Sequence, residues 1–564
     1  MTGEMRRTLL AVARKLVFAG LTILGVWLLI LALRAIATPI VIDLMSESPL
    51  VRDGVTPDYN DWGTSYWMGK TVSELIGQRI GVTLRLVGFG GLLALGIAGL
   101  LLFLGVLLSR TTRRPLWLAN IRSVLRLIIV SGAVGNPILL GAFLGMIFIF
   151  PLFRSLPWSP APPPSSQAIS VWLVLHVSLL PAWLLVQAGH GELSKSFQSH
   201  WQLATHLAAT SVMRLLKLAG AVFVVAVLAE QGSSSPGLGR LLLQAIDTRD
   251  MPVAFGIAFI LAVIVVLAKL TADLIGIAYN HSRKNVTARN AATQGPSQRL
   301  PTGWVVFSLV LVVLFILAAI FGPFMAPYGY NEIQLNDRLS PPSPSHLLGT
   351  DDLGRDVFSR LLFAIRLDVV SSLSIVAALI VVATAWALLA TVARNRNDWL
   401  GDTLEEGVML PRDVVGAFPW LVLLLVLISL VGPGVLAVAL MTAIVLLPHV
   451  VGMMRESSIS GPSGSGWVRC VLLSVSPVFL LAMAGAILCI TSASYLGFGV
   501  PPPLPELGTI LSGAGRMYFL QAPWMAQWPI VVLVALMLVW VMAGDAVLER
   551  LGFRSKAVWS KAME

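Results

Sequence analysis

Residues 414–454 read VVGAFPWLVLLLVLISLVGPGVLAVALMTAIVLLPHVVGMM, a run without Asp, Glu, Lys or Arg. A helix that crosses the hydrocarbon of a bilayer needs about 20 mostly apolar residues, so this stretch holds two of them. The division falls at Val431-Gly432-Pro433-Gly434. Proline lacks a backbone donor and glycine carries a large entropy loss in a helix interior, whereas both suit a turn. Further uncharged runs occur at 86–109, 127–153, 155–191, 300–331, 369–393, 470–505 and 517–544.

Composition agrees with this reading. Apolar residues make up 57% of the 564-residue chain and charged residues 12%, against about 45–50% and about 25% in soluble domains. There is too little polar material to cover such a core, so lipid is the solvent for much of the chain. Runs of this length must satisfy their backbone groups internally and are therefore helices. The expected fold is all-α and polytopic, with about 12 transmembrane helices. They are placed at 16–40, 82–108, 127–152, 168–188, 211–229, 252–279, 303–325, 368–392, 413–431, 435–453, 470–493 and 527–546.

Each half of the chain repeats one layout. A first helix is followed by a long polar segment (41–81 and 326–367), then five more helices, with a Gly- and Pro-rich segment before the last (230–251 and 495–526). Two copies in one orientation imply parallel repeats about an axis along the membrane normal. The expected units are 1–280, a basic cytoplasmic linker at 281–302, and 303–564. The linker carries Arg283, Lys284, Arg289 and Arg299 with no acidic residue, and is a flexible tether by composition.

Charge gives orientation. Lys and Arg concentrate in the N-terminal tail, the 110–126 loop and the linker, which places both termini in the cytoplasm by the positive-inside rule. Arg6, Arg7, Arg14 and Lys15 precede the first apolar stretch, which is too long for a leader and is expected to remain as a helix. The net charge of +11 is thus a signal of topology and lipid contact, not of nucleic-acid binding. Seven scattered His residues without metal-ligand spacing predict no metal site. Cys470 and Cys489 lie about 28 Å apart along one helix and cannot bridge.

Charged residues also fall in or near the spans: Arg34, Arg85, Lys269, Asp273 and Asp368. Arg85 and Asp368 are expected near helix ends, within reach of headgroups. Lys269 and Asp273, four apart on one helical face, are expected to form an intramembrane pair.

Specific motifs sharpen the picture. The second half carries Phe324-Met-Ala-Pro-Tyr, then Pro341-Pro-Ser-Pro-Ser-His-Leu-Leu-Gly349-Thr350-Asp351-Asp-Leu-Gly354-Arg355-Asp356, and later Leu496-Gly497-Phe498-Gly499-Val500-Pro501-Pro502 with Pro505-Glu506-Leu507-Gly508. This resembles DppC/OppC-type permeases, inner-membrane subunits of ATP-driven importers for dipeptides, oligopeptides and, in some members, nickel. The first half resembles the partner DppB/OppB type through Asp61-Trp-Gly-Thr-Ser65 and through Glu230 with Pro236-Gly237-Leu238-Gly239-Arg240. Read as residues, these glycines and prolines allow sharp turns beside helix ends, a structural and not a catalytic use.

The resemblance implies a bacterial inner-membrane, multi-pass, non-enzymatic permease, working with two ATP-binding subunits and an extracytoplasmic solute-binding protein. No Gly-x-x-x-x-Gly-Lys-Ser/Thr stretch is present, so ATP and Mg²⁺ are expected on partner subunits and no cofactor in this chain. The family docks its ATPases on a cytoplasmic loop marked Glu-Ala-Ala-x-x-x-Gly. Here Gly464 and Pro477 stand at the family spacing and Arg469 is compatible with it, but Ser458, Ile459 and Ser460 replace Glu-Ala-Ala. The readings carried forward are a peptide-type permease, a nickel or metal-chelate permease, an ion-coupled carrier, and a non-transporting assembly or sensor subunit.

Overall fold

The computed structural model describes residues 3–45, 63–65, 67–110, 200–233, 235–281, 302–394, 399–460, 466–512, 518 and 521–553. Within them the chain is helical: α1 (Gly3–Met45), α2 (Val72–Arg110), α3 (His200–Lys217), α4 (Ala219–Ser233), α5 (Leu238–Asp247) and α6 (Met251–His281), then α7 (Thr302–Met325), α8 (Val357–Arg394), α9 (Trp399–Val415), α10 (Trp420–Val431), α11 (Val435–Ser460), α12 (Trp467–Tyr495), α13 (Leu507–Ser512) and α14 (Trp524–Arg550). Extended pairing among the described residues consists of two isolated bridges, Thr64 with Thr71 and Thr350 with Asp356.

Eight helices among the described residues are long and apolar enough to cross a membrane, and two bent pairs raise the number to ten. The expected helices at 127–152 and 168–188, and most of the 281–302 linker, lie outside the described residues. The turn at Gly432-Pro433-Gly434 separates α10 from α11, with Gly432 at φ +93°.

Four expectations need correction. The helix placed at 211–229 begins at His200 and is broken at Leu218, where Ala209–Lys217 and Ala219–Leu228 meet at 60°. The helix placed at 413–431 begins at Trp399 and breaks between Val415 and Trp420, where its two parts meet at 68°. Gly416 and Pro419 explain the break, since proline cannot supply the donor that a continuous helix requires there. The helices placed at 82–108 and 368–392 begin earlier, at Val72 and Val357. Their first turns are polar, so hydropathy alone truncates them. Arg85 and Asp368 consequently lie well inside α2 and α8, not near their ends.

The two parts of the chain share one apolar core. α1 packs on α6 and reaches across to α9, while α10 touches α4, α5 and α6. In the second part, α8, α11, α12 and α14 pack closely together, with α7 laid against α8 and α14. On α7 the exposed residues Phe307, Val310, Leu314, Leu317 and Phe321 recur at helical spacing. In water such a stripe is unfavourable, but in lipid its exposure carries no hydrophobic penalty.

Candidate functional site

The signature motifs converge on one end of the bundle, where two loop caps are built to the same plan. In the first, Gly63 at φ +82° leads into Thr64, and its carbonyl accepts the Val72 N–H at 3.1 Å at the start of α2. In the second, Gly349 at φ +79° leads into Thr350, and its carbonyl accepts the Val357 N–H at 3.0 Å at the start of α8. An added Cβ on Gly349 would sit 2.6 Å from Trp524 Nε1 and 2.8 Å from the Ser340 carbonyl. Glycine is required there by both conformation and space.

Polar side chains hold the second cap. Asp351 Oδ1 accepts the Leu353 and Arg355 N–H groups, each at 2.9 Å, and its Oδ2 accepts Arg355 Nε at 2.7 Å. Asp356 Oδ2 accepts the Ser359 N–H and hydroxyl at 2.7 Å, capping α8, while Oδ1 meets His346 Nδ1 at 3.0 Å. Thr350 Oγ1 donates to the Asp337 carbonyl, and the Thr350 carbonyl accepts Trp524 Nε1 at 3.1 Å. Gly354 at φ +74° lies so close to the Gln334 carbonyl that any side chain would collide with it. Beside this loop a cavity of about 160 Å³ is lined by Asp351, Asp352, Arg355, Arg360, Pro502 and Thr509.

Below each cap a short helix folds back into the bundle. Leu238 opens α5 and Leu507 opens α13, each followed by a glycine pressed onto a helix backbone. A Cβ on Gly239 would lie 2.5 Å from Val227 Cα, and one on Gly508 would collide with the Thr491 carbonyl. Gly237 leaves room for the Glu230 carboxylate, and Gly499 for Ser494. Gly497 adopts φ +93° at the turn after α12, and the exposed Pro501 follows it. Pro236 lies half-buried just before α5.

A buried carboxylate marks each of these places. In the first, Glu230 accepts Thr83 Oγ1 and the Gly239 N–H, both at 2.6 Å, and Thr83 Oγ1 accepts the Leu238 N–H at 2.8 Å. Glu230 lies past Leu228, where the apolar span ends, and burial pushes its carboxyl up to about 7 despite these donors. In the second, Glu506 accepts the Thr509 N–H at 2.9 Å, while Asp368, fully buried, accepts the Leu507 N–H at 3.4 Å. Glu506 is also the charged neighbour of Asp368. Asp368 therefore does not reach a headgroup. The fold-back after α12 covers it, and no sequence spacing announces a contact 139 residues away.

At the opposite end, α11 carries Ser458, Ile459 and Ser460 in its last turn, and Gly464 lies outside the described residues. Arg469 is exposed near the start of α12, and Pro477 is buried within that helix. Just before this loop Arg455 Nε donates to the buried Glu405 at 2.6 Å, which ties α11 to α9. Sequence reading missed this tie, because the start of α9 was not predicted.

Lys269 and Asp273 both reach other elements. Lys269 Nζ donates to the Gly416 carbonyl at 3.0 Å, and Asp273 meets Lys15 at 3.5 Å and Lys217 at 3.7 Å. Among the described residues no group of three or more His, Cys, Asp or Glu is arranged to hold a metal ion. Cys470 and Cys489 are buried free thiols.

Multiple apolar spans, a helix broken between Val415 and Trp420 and fold-back segments capped by polar loops define a polytopic membrane protein. Comparison with known proteins gives the family. A family model described as the N-terminal TM domain of oligopeptide transport permease C matches residues 304–342. The chain is 31% identical over 267 residues to the di/tripeptide transport system permease protein DppC of Pseudomonas aeruginosa, covering 43% of this chain and 86% of the relative. It is 31% identical over 271 residues to the dipeptide transport system permease protein DppC of Escherichia coli, covering 44% and 87%. The nickel transport system permease protein NikC of the same organism is 30% identical over 271 residues, covering 45% and 95%. The chain belongs to the DppC/OppC type of ABC-transporter permease. Each match spans less than half of this chain.

Proposed function

We propose that the chain is a fused pair of permease halves, 1–280 of DppB type and 303–564 of DppC type, joined by the basic linker. Together they would form the translocation pathway of an ATP-driven importer for peptides or a related small solute. The observation that carries this reading is the repeated cap. The same Gly-Thr turn, helix start and fold-back glycine occur at 63–83 with 237–239 and at 349–368 with 506–508. A covalent pair of this kind holds its halves at high effective concentration and needs no separate partner permease.

In this reading both termini face the cytoplasm, the caps face outward, and the pathway follows the seam where α1, α4, α5 and α6 meet α9 and α10. An extracytoplasmic binding protein would dock on the caps, with the cavity beside Arg355 and Arg360 taking one of its side chains. Two ATP-binding subunits would engage the 458–469 loop of the second half and a counterpart between 190 and 210. ATP and Mg²⁺ belong to those subunits. Differential affinity for inward- and outward-open states, set by nucleotide, drives such a cycle.

The test is purification of the tagged full chain in mild detergent, followed by reconstitution into vesicles. Stoichiometric recovery of two ATPases and ATP-dependent solute uptake are the expected results. A folded chain that repeatedly comes alone and supports no uptake overturns the importer reading and favours an assembly or sensor role.

A further inference from the structure

Beneath the second cap two carboxyls meet where the described residues bring no cation. Asp368 and Glu506 are 1% and 0% exposed and lie within hydrogen-bonding reach of each other. Asp368 Oδ2 accepts the Leu507 N–H, and Glu506 Oε2 accepts the Thr509 N–H and, at 3.4 Å, the Thr509 hydroxyl. Each acid keeps one oxygen, Asp368 Oδ1 and Glu506 Oε1, buried without a donor among the described residues. Arg360, two turns before Asp368 on α8, is taken up by the Tyr330 carbonyl at 3.2 Å and by Asp351 at 3.7 Å, and Arg366 is exposed. α12 brings the buried thiol of Cys489 and the half-buried Tyr495. α7 and α13 have no ionisable side chain, and α14 carries Asp545, Glu549 and Arg550 at the end away from the cap. α9 meets α8 at the other end, where Glu405 lies 3.9 Å from Arg394.

The first half shows what this place needs. Thr83 Oγ1 accepts the Leu238 N–H and donates its own hydrogen to Glu230 at 2.6 Å. Asp368 stands at the matching position, eleven residues into α8, and likewise accepts the N–H of the leucine that opens the fold-back helix. An ionised carboxylate has no hydrogen to give. Asp368 can therefore do for Glu506 what Thr83 does for Glu230 only when the pair carries a proton. Two ionised carboxylates held this close, away from water and without a cation, repel each other strongly.

We propose that Asp368 and Glu506 form a proton-binding site, in which one proton shared between the two carboxyls bridges α8 to the loop that opens α13 and latches the fold-back helix beneath the second cap. The proton takes the place of the Thr83 hydroxyl hydrogen. Its loss leaves like charges face to face and parts α13 from α8. A sodium ion is the rival occupant, since Ser372, one turn past Asp368, and Thr491, whose carbonyl lies against Gly508, also keep buried hydroxyls without partners among the described residues. The direct reach of one carboxyl to the other favours a bridging hydrogen over an ion standing between them. The site stands whether or not the chain imports a solute.

The test reads the C=O stretch of protonated carboxyls by infrared spectroscopy on the purified full chain, in H₂O and in D₂O. Glu230→Gln serves as the background, because the Glu230 carboxyl, at about 7, would add to the same band. Subtracting the spectrum of the Asp368→Asn variant from that of the background should leave one protonated-carboxyl band that shifts in D₂O. Glu506→Gln should remove the same band, because in each variant an amide supplies the bridging hydrogen and the remaining acid ionises. Asp368→Asn and Asp368→Thr should keep the unfolding temperature of the background, whereas Asp368→Leu, which neither donates nor accepts, should lower it by several degrees. Absence of the band from both subtractions overturns the shared proton. So does an unfolding temperature that rises when NaCl replaces choline chloride at equal ionic strength in the background and not in Asp368→Asn, which would assign the place to sodium. Should Asp368→Asn fail to fold, the Glu506→Gln subtraction decides alone, and a missing band there counts against the site.

Discussion

The first cap and the second share a backbone plan but solve its electrostatics differently. Thr83 follows Val72 by eleven positions and Asp368 follows Val357 by eleven, and each receives the N–H of the leucine that opens the fold-back helix. Next to it each half buries a glutamate. In the first half that glutamate arrives from the preceding helix as Glu230, with glycine at 237. In the second it stands in the loop itself as Glu506, with the tight glycine at 499 on the other side. The place needs an acceptor for freed backbone donors, and the chain supplies one from either side. The difference is what lies beneath: a neutral hydroxyl at Thr83 and a second carboxyl at Asp368.

The largest effects are expected where the two plans agree. Gly239→Ala and Gly508→Ala each force a methyl onto helix backbone and should lower stability by about 3 kcal/mol, read as lost monodisperse protein and reduced thermal unfolding temperature. A marked effect in one half alone would break the equivalence of the caps. Next comes the exchange of glutamate positions. Gly237→Glu alone sets a second side chain onto the Glu230 carboxylate, and Glu230→Gly alone leaves the Gly239 N–H without its acceptor. Each should destabilise by about 2 kcal/mol, and the double variant should recover part of the loss. Strictly additive losses would mean that the two positions do not serve one acceptor site.

The Glu230 carboxyl gives a pH signature. Its folded value of about 7 stands above the ordinary 4.5, so the folded state holds the proton more tightly than the unfolded one. The stability from this group is full below about pH 4.5 and declines as pH rises through about 7. Wild-type unfolding temperature should therefore fall between about pH 5 and about pH 8 more steeply than that of Glu230→Gln. Parallel curves would refute a buried protonated Glu230. The smallest contrast compares the residues after the turn threonines. Asp351→Ala removes an acceptor of three hydrogen bonds and should destabilise by about 2 kcal/mol. Ser65→Ala removes bonds to Asp250 and from the Met68 N–H and should lower stability by about 1 kcal/mol. Equal losses would erase the distinction between a charged and a neutral cap.

Much of the architecture was readable in advance. Among the described residues uncharged runs gave most of the spans, and Gly432-Pro433-Gly434 gave a turn. The glycines at 237, 239, 349, 354 and 508 announced close approach, though not to what, and Gly497 announced a turn. The polar first turns of α2 and α8 escaped because hydropathy follows lipid contact, and these turns lie in the cap. The break at Gly416–Pro419 left a local trace in its own residues. The site was less legible. Asp368 looked like a residue near a headgroup, and nothing in its own stretch of sequence pointed to Glu506 or Leu507.

The sequence by itself determined that this chain is a many-helix membrane protein with DppC/OppC-type permease motifs in its second half, because the length and apolarity of a span and the conformational demands of glycine and proline are local properties. Only the tertiary structure decided which buried acids share a cap and which cations share the seam. Those groupings depend on helix rotation and crossing, which bring Asp368 to Glu506 and Lys269 to Gly416 from far along the chain. In a low-dielectric interior, what a charge does is set by those neighbours and not by its position in the sequence.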